Sequence, residues 1–403
     1  MHKQLALLLC WATTITCSHL VTTTTLEQDL AAIVTAESTK YDCAISASIY
    51  SKSKSISMSS SAGTTSFQPA ARKINNDDIF VWGSITKIST GTSILRLVQA
   101  GKLNLNDTIS QYIDPMIKQM NIDYPNIVNF TCSEDLWGKE IHNVTIWHLA
   151  TMNSGVPDFD TAKPYPRPPT DSLRQTIYKN PNKDYYPHEL ISFPWVATGS
   201  LEFIPGTKRF AYSSTNFVLL GLILARMDNK ERWSDYKQSS FLPKQMLKTL
   251  PSVVYWKKGA PINRTFYYFI LFLLYFQQVP CTYMNIIENS FFSLSLSTLF
   301  STTYVYSYIY YLYLYTSYSG TSVVGYDRTS YNGHSSKALP GIDVSGVHGV
   351  FAGWSASDFT STTIDAAKLA YYVYSTQDQD LLDTNNQHLM IPTNGIYGTN
   401  EIF

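Results

Sequence analysis

The stretch that most constrains this chain runs Ile79-Phe80-Val81-Trp82-Gly83-Ser84-Ile85-Thr86-Lys87 and on through Ile88 and Leu95 to Ala100-Gly101. A short apolar, strand-like run ends at Trp82. Ile88, Leu95 and Val98 then recur at helical spacing before a glycine stop. The pattern predicts Ser84 in the first turn of a helix, with Lys87 one turn on and on the same face. That spacing brings an amine to a hydroxyl. The helix N-terminus adds unpaired N–H groups and a positive dipole end, which suit a developing oxyanion. A serine hydroxyl is a poor nucleophile until a base takes its proton, and a lysine does this when burial or a nearby cation lowers its pKa. Alone, the tetrapeptide is weak, because an N-cap serine followed by a solvated lysine gives the same letters.

The 403 residues allow one large domain or two ordinary ones. Basic and acidic residues number 30 each, and no basic stripe carries interleaved aromatics, which argues against a nucleic-acid partner. Met1-His2-Lys3, an apolar run from Leu5 to Trp11 and small polar residues to Ser18 read as a secretory signal peptide, 1–18. Secretion agrees with the sequons at Asn106, Asn129, Asn143 and Asn263. Outside the leader, Cys43, Cys132 and Cys281 remain, and a Cys43–Cys132 disulfide is expected in an oxidising compartment. The eight histidines show no zinc-site spacing, so neither a metal nor another cofactor is expected.

Along the chain, Ala44 to Tyr50 and Ser55 to Ser59 alternate as a hairpin with one buried face. A short helix from Ile109 is expected to stop before Pro115, and Ile146 to Asp158 reads as a helix followed by a tight turn. Lys163 to His188 reads as a Pro-rich polar loop. The run from Phe217 to Ala225, apolar nearly all round, predicts a buried helix.

Several of these stretches occur in one order that resembles the serine β-lactamase-related family, which includes class C β-lactamases, D-amino-acid peptidases and many esterases. They are G-S-x-T-K (Gly83 to Lys87), G-K-L-x-L-x-D (Gly101 to Asp107), T-x-x-S-G-x-P-D (Thr151 to Asp158) and P-G-x-x-F-x-Y-S (Pro205 to Ser213) before an L-L-G helix. Last comes A-G-W followed by S-T-x-x-D-x-A-K (Ala352 to Lys368). The resemblance implies an α/β (α+β) fold: an antiparallel sheet flanked by helices, with an inserted all-helical lobe and the site at their junction. It implies that Ser84 is acylated by a substrate carbonyl, with Lys87 and Tyr212 as the base system, since a phenol beside an ammonium ionises more readily. Ser214 stands where the family usually has Asn, so Ser214 and Asn216 are the candidate substrate-binding residues. Asn153 and Ser154 read as turn-holders.

The sequence departs from the family in places. Ile396-Tyr397-Gly398-Thr399 resembles the stretch that precedes the third motif, but neither K-T-G nor H-x-G follows before Phe403. His348-Gly349 comes too early for that role and reads as a loop. Without the C-terminal strands, the hairpin is expected to keep exposed edges. Residues 266–318, a single domain's Tyr- and Phe-rich insertion, carry Glu288 as their only charge. They are read as translated intron, with a membrane-associating insertion as the alternative. The expected activity is that of a secreted serine hydrolase acting on a small-molecule or peptide ester or amide; the alternative is a non-catalytic, degenerate relative.

Overall fold

Strict alternation along Ile45–Ser51 settles what each face of the first sheet meets. This strand pairs antiparallel with Ile56–Ala62, from Ile45 opposite Ala62 to Ser51 opposite Ile56. Ile45, Ala47 and Ile49 share one apolar cluster with Leu30 and Val34 of the N-terminal helix Thr23–Tyr41. On the other face, Ser46 and Ser48 hydrogen-bond the Thr363 hydroxyl at 3.0 and 2.6 Å, where the helix Thr363–Tyr374 begins. Tyr50 meets Tyr371 of the same helix edge-on, at 5.3 Å between ring centroids. A period of two thus gives each face of the sheet its own helix.

The computed structural model describes residues 23–67, 69, 71–160, 173–207, 209–255, 270–273, 326–327, 342–343, 347–375 and 378–390. The leader at 1–18, Asn263, Cys281 and Tyr397-Gly398 lie outside the described residues, as does most of 266–318 with its membrane-associating reading. Of that insertion, Ile270–Leu273 forms a strand parallel to Ile45–Ser48. One edge of the hairpin is therefore paired, contrary to the sequence expectation. A second sheet of three strands joins Phe80–Val81 and Val254–Tyr255, each antiparallel to Phe359–Ser361 between them.

The chain leaves Phe80–Val81 through a 3-10 turn, Gly83–Ile85, into the helix Thr86–Gln99, called the nucleophile helix below. That helix closes as its glycine stop predicts. Gly101 takes φ +64°, its N–H reaches the Val98 carbonyl at 2.9 Å, and the Lys102 N–H reaches that of Leu97 at 2.9 Å. The helical lobe follows, with Ser110–Asp123, Ile146–Ala150 and Pro187–Ser192 packed on Ser214–Met227, and Ser133–Trp137 and Leu173–Lys179 completing it. The helix Ser214–Met227 is buried from Ser214 to Ala225.

Pro115 does not end its helix. Ser110–Asp123 runs through it, because Ile113, Met116, Ile117 and Met120 all bury on one face. At about 1.5–3 kcal/mol for each such side chain, their burial outweighs the roughly 3 kcal/mol that an interior proline costs. The expected loop before His188 also contains helices. Leu173 and Ile177 are buried one turn apart, and Pro187 opens its helix, where a missing N–H costs little.

No disulfide joins Cys43 and Cys132; both are thiols. The Cys43 N–H bonds the Ser38 carbonyl at 3.2 Å, closing the N-terminal helix onto the sheet. Cys132 leads the helix Ser133–Trp137, its N–H on the Asp135 carboxylate at 3.2 Å. Each serves its own local turn, and a count of cysteines says nothing about Cβ geometry.

His188 lies buried flat against Tyr124, ring centroids 3.7 Å apart, beside Tyr186 and Trp233. Burial pushes its imidazole from 6.5 down to about 4. The folded protein therefore keeps His188 neutral while the unfolded chain takes a proton, so this contribution is present above about pH 6.5 and lost as pH falls toward 4. Urea unfolding is expected to lose up to about 3 kcal/mol across that window, and His188→Phe is expected to flatten the loss. Among the described residues, no helix is long and apolar enough to cross a membrane, and no group of His, Cys, Asp and Glu is placed to hold a metal ion.

Candidate active site

Ser84, Lys87 and Tyr212 converge, although 128 residues separate Ser84 from Tyr212. The Ser84 hydroxyl lies 2.6 Å from the Tyr212 hydroxyl and accepts a hydrogen bond from Lys87 Nζ at 3.2 Å. Lys87 is only 2% exposed, while Ser84 and Tyr212 are half-buried and reachable. Lys87 Nζ also donates to Ser214 Oγ at 3.3 Å and to the Ala356 carbonyl at 3.0 Å. The amine is thus fixed by a hydroxyl and a carbonyl behind it, with Ser84 in front. Ser84 sits in the 3-10 turn that opens the nucleophile helix, beside the positive end of its dipole. A hydroxyl held between a phenol oxygen that can take its proton and a lysine Nζ that donates to it has the arrangement that acyl transfer needs.

The turn after Ala150 places Tyr212. Met152 takes φ +57°, its carbonyl accepts the Ala211 N–H at 3.1 Å, and its sulfur accepts the Ser213 N–H at 3.4 Å. Asp158, at the end of the same turn, accepts the Ser214 N–H at 2.9 Å. Asn216 belongs to this scaffold and not to the open side of the site. It is fully buried, its oxygen accepting from Ser154 Oγ at 2.7 Å and its amide donating to Met152 Sδ at 3.3 Å. Ser214 is brought to Lys87; Asn216 is not. Ser154 is the turn-holder expected of it. His348 lies in a short 3-10 helix against Asp184, 3.2 Å from its carboxylate, and Gly349 packs on Ile177 and Tyr185. Neither is on a strand beside Ser84.

Sequence reasoning missed the support behind Lys87. The segment Gly353 to Phe359 is fastened to the nucleophile helix at successive turns. The Phe359 N–H donates to Thr86 Oγ1 at 3.1 Å, and Thr90 Oγ1 donates to the Ser355 carbonyl at 2.7 Å. Between them, Ala356 offers its carbonyl to Lys87. Asp358 closes the segment on itself, accepting the Trp354 N–H at 2.7 Å and, more weakly, the Ser357 hydroxyl at 3.4 Å. The A-G-W-S-A-S-D letters name this stretch, but nothing in them marks Asp358 as buried.

Complete burial raises the Asp358 carboxyl well above the ordinary range, while the Trp354 N–H, Ser357 and the charge of Lys87 pull the other way. The folded protein holds this proton more tightly than the unfolded chain does. Its contribution to stability is therefore full below about pH 4 and declines as pH rises. Asp358→Asn is expected to gain stability over the parent by up to about 1.4 kcal/mol per pH unit above pH 4, as read from urea unfolding at stepped pH.

A family model described as Beta-lactamase matches residues 53–250. Those residues form a β-lactamase-family domain. Protein flp of Staphylococcus aureus (strain NCTC 8325 / PS 47) is 31% identical over 159 residues, which are 40% of this chain and 25% of flp. The match thus spans about a quarter of that relative's length. Among solved structures, the D-amino acid amidase of Ochrobactrum anthropi SV3 superposes with a TM-score of 0.54 at 14% identity, over 91% of this chain and 73% of that one. The octameric penicillin-binding protein homologue of Pyrococcus abyssi gives 0.51 at 17% identity, over 90% and 59%. EstCE1, a hydrolase with promiscuous acyltransferase activity, gives 0.51 at 11%, over 90% and 76%. At these identities the likeness is one of fold. Across the described residues the chain has the expected helix-flanked sheet, its hairpin antiparallel with Ile270–Leu273 added in parallel, and helices grouped in a lobe beside it.

Proposed function

We propose that the β-lactamase-family domain is a serine hydrolase that cleaves a small-molecule or peptide ester or amide through a covalent acyl-enzyme on Ser84. The observation that carries this reading is the Ser84 hydroxyl held between Tyr212 at 2.6 Å and Lys87 at 3.2 Å. In the first half-reaction the Tyr212–Lys87 pair takes the Ser84 proton as Oγ bonds to the carbonyl carbon. The same proton goes to the departing alcohol or amine as its bond to that carbon breaks. Water then adds to the acyl-enzyme, giving up a proton to the pair, which returns one to Ser84 as the acid leaves. The N–H groups at the start of the nucleophile helix suit the oxyanion of each tetrahedral intermediate. The fold likeness to an amidase and to EstCE1 favours amide or ester carbonyls, and Met1 to Ser18 direct the chain to secretion.

Incubation of the full chain with a fluorophosphonate probe is expected to label one tryptic peptide, the one containing Ser84. A second reading, a non-catalytic relative, is favoured by Ser214 in the position of the family's Asn. A folded chain that takes no label would establish that reading in place of the first. Tyr212→Phe keeps the ring but removes the hydroxyl at Ser84. It is expected to lower kcat/KM for a p-nitrophenyl ester by about 10²–10⁴-fold with little change in melting temperature.

A further inference from the structure

At the far end of the nucleophile helix from Ser84, the loop Gly101 to Asp107 borders an open cleft of about 690 Å³. Val98, Leu103, Leu105 and Trp147 form its apolar wall, and Asn106 is on its rim. Asn106 is the acceptor position of the Asn106-Asp107-Thr108 sequon, and the function proposed above makes no use of either. We infer that Asn106 is an N-glycosylation site whose first sugars lie in this cleft against Trp147. The inference rests on the secretory part of the proposed function.

The loop is built to present this side chain outward. The Asn106 N–H donates to Asn104 Oδ1 at 2.9 Å and Asp107 Oδ2 takes the Asn104 N–H at 3.0 Å, so the backbone is held while the Asn106 side chain stays exposed. Thr108 sits opposite Thr145 in an antiparallel bridge, and the Trp147 N–H bonds the Leu105 carbonyl at 2.8 Å. That register sets Asn106 across from Trp147, a half-buried residue that lines the same cleft. Sugar C–H faces stack on such rings, and the polar edge of the cleft suits their hydroxyls.

Asn129 and Asn143 are also exposed sequon asparagines on the helical lobe, but Asn143 donates to Glu140 at 2.9 Å and neither borders this cleft. Exposure alone is common for asparagine; sharing a cleft with Trp147 is what singles out Asn106. The nucleophile helix separates this loop from Ser84 by roughly 20 Å, at 1.5 Å per residue, so a glycan here leaves the site open. The reaction joins the Asn106 Nδ2 to the anomeric carbon of a lipid-diphosphate-linked oligosaccharide. That carbon's bond to the diphosphate breaks, the lipid diphosphate leaves, and Nδ2 loses one proton.

The test is secretion of the full chain, with its own leader, from a eukaryotic host, followed by peptide mapping after amidase release of N-glycans. Asn106 is expected to be occupied, and Thr108→Ala is expected to erase that glycan alone. Under native conditions its release is expected to be about tenfold slower than that at Asn143, and Trp147→Ala is expected to remove the difference. A chain secreted with Asn106 bare overturns the inference and leaves secretion standing. A chain that stays in the cytosol overturns both. Equal native release at Asn106 and Asn143 overturns the seating against Trp147.

Discussion

Ser84→Ala and Lys87→Met are each expected to cut kcat/KM for an ester substrate by about a million-fold, and the double variant is expected to be no worse than either. Non-additivity follows from the geometry. Lys87 Nζ reaches Ser84 Oγ at 3.2 Å, and among the described residues its other hydrogen bonds go to Ser214 and Ala356, so without Ser84 it has no substrate-bound hydroxyl to serve. Without Lys87, the hydroxyl keeps only Tyr212. Stability is expected to respond differently. Ser84 is half-buried, and its loss is expected to cost under about 1 kcal/mol. Lys87→Met keeps the stem of a side chain that is 2% exposed but strands the Ala356 carbonyl, and so is expected to cost about 1–3 kcal/mol. Hydrolysis rates and urea unfolding on the same preparations measure the two effects. A double variant that multiplied the losses would refute the single-unit reading.

The largest structural effect is expected at Gly221, midway along the helix Ser214–Met227. A Cβ there would come within 2.1 Å of Ser355 Oγ and 2.7 Å of the Trp354 ring. Both neighbours are buried, and Ser355 is committed: its hydroxyl donates to the Phe217 carbonyl at 2.8 Å and its carbonyl accepts from Thr90. Gly221→Ala must therefore push away the segment that offers the Ala356 carbonyl to Lys87. A loss of about 3 kcal/mol is expected, with a fall in activity although Gly221 touches none of the reacting groups. Ser355→Gly removes the nearest obstructing atoms, and the pair is expected to recover part of both losses. No recovery would show that the ring of Trp354 is the obstacle that matters.

The sequence made Ser84, Lys87 and Tyr212 legible for different reasons. Ser84 lies in the 3-10 turn that runs directly into the helix carrying Lys87, so local helical spacing sets their distance. Tyr212 became readable only through the ordered motifs around it, since nothing local says what a tyrosine 128 residues away will touch. Asn216 shows a limit of reading by proximity in sequence. Residues two apart on a helix face different ways, so Ser214 turned toward Lys87 places Asn216 away from it, against Ser154 and Met152. Helical spacing could have supplied that answer. The cysteines and Asp358 are different, because pairing and burial depend on which distant segments meet. Pro115 marks a helix end by its general habit and prolines mark the stretch before His188 as loop, whereas the burial of a helix face and the first position of a helix decide the settings of Pro115 and Pro187.

The site also has a birth order. Lys87 finds its carbonyl 269 residues further on, at Ala356, and Thr90 its partner 265 residues on, at Ser355. On a ribosome, Ser84 and Tyr212 can meet while the chain is still being made, but the carbonyl that steadies the amine is translated more than a hundred residues after Tyr212. Closing so long a loop is slow, and an unfinished chain would hold the amine of Lys87 in a half-built interior with no carbonyl to meet it. Under the proposed function, catalytic competence would be acquired late, when Gly353 to Phe359 docks between two helices already in place. The first appearance of hydrolysis during refolding would time that docking.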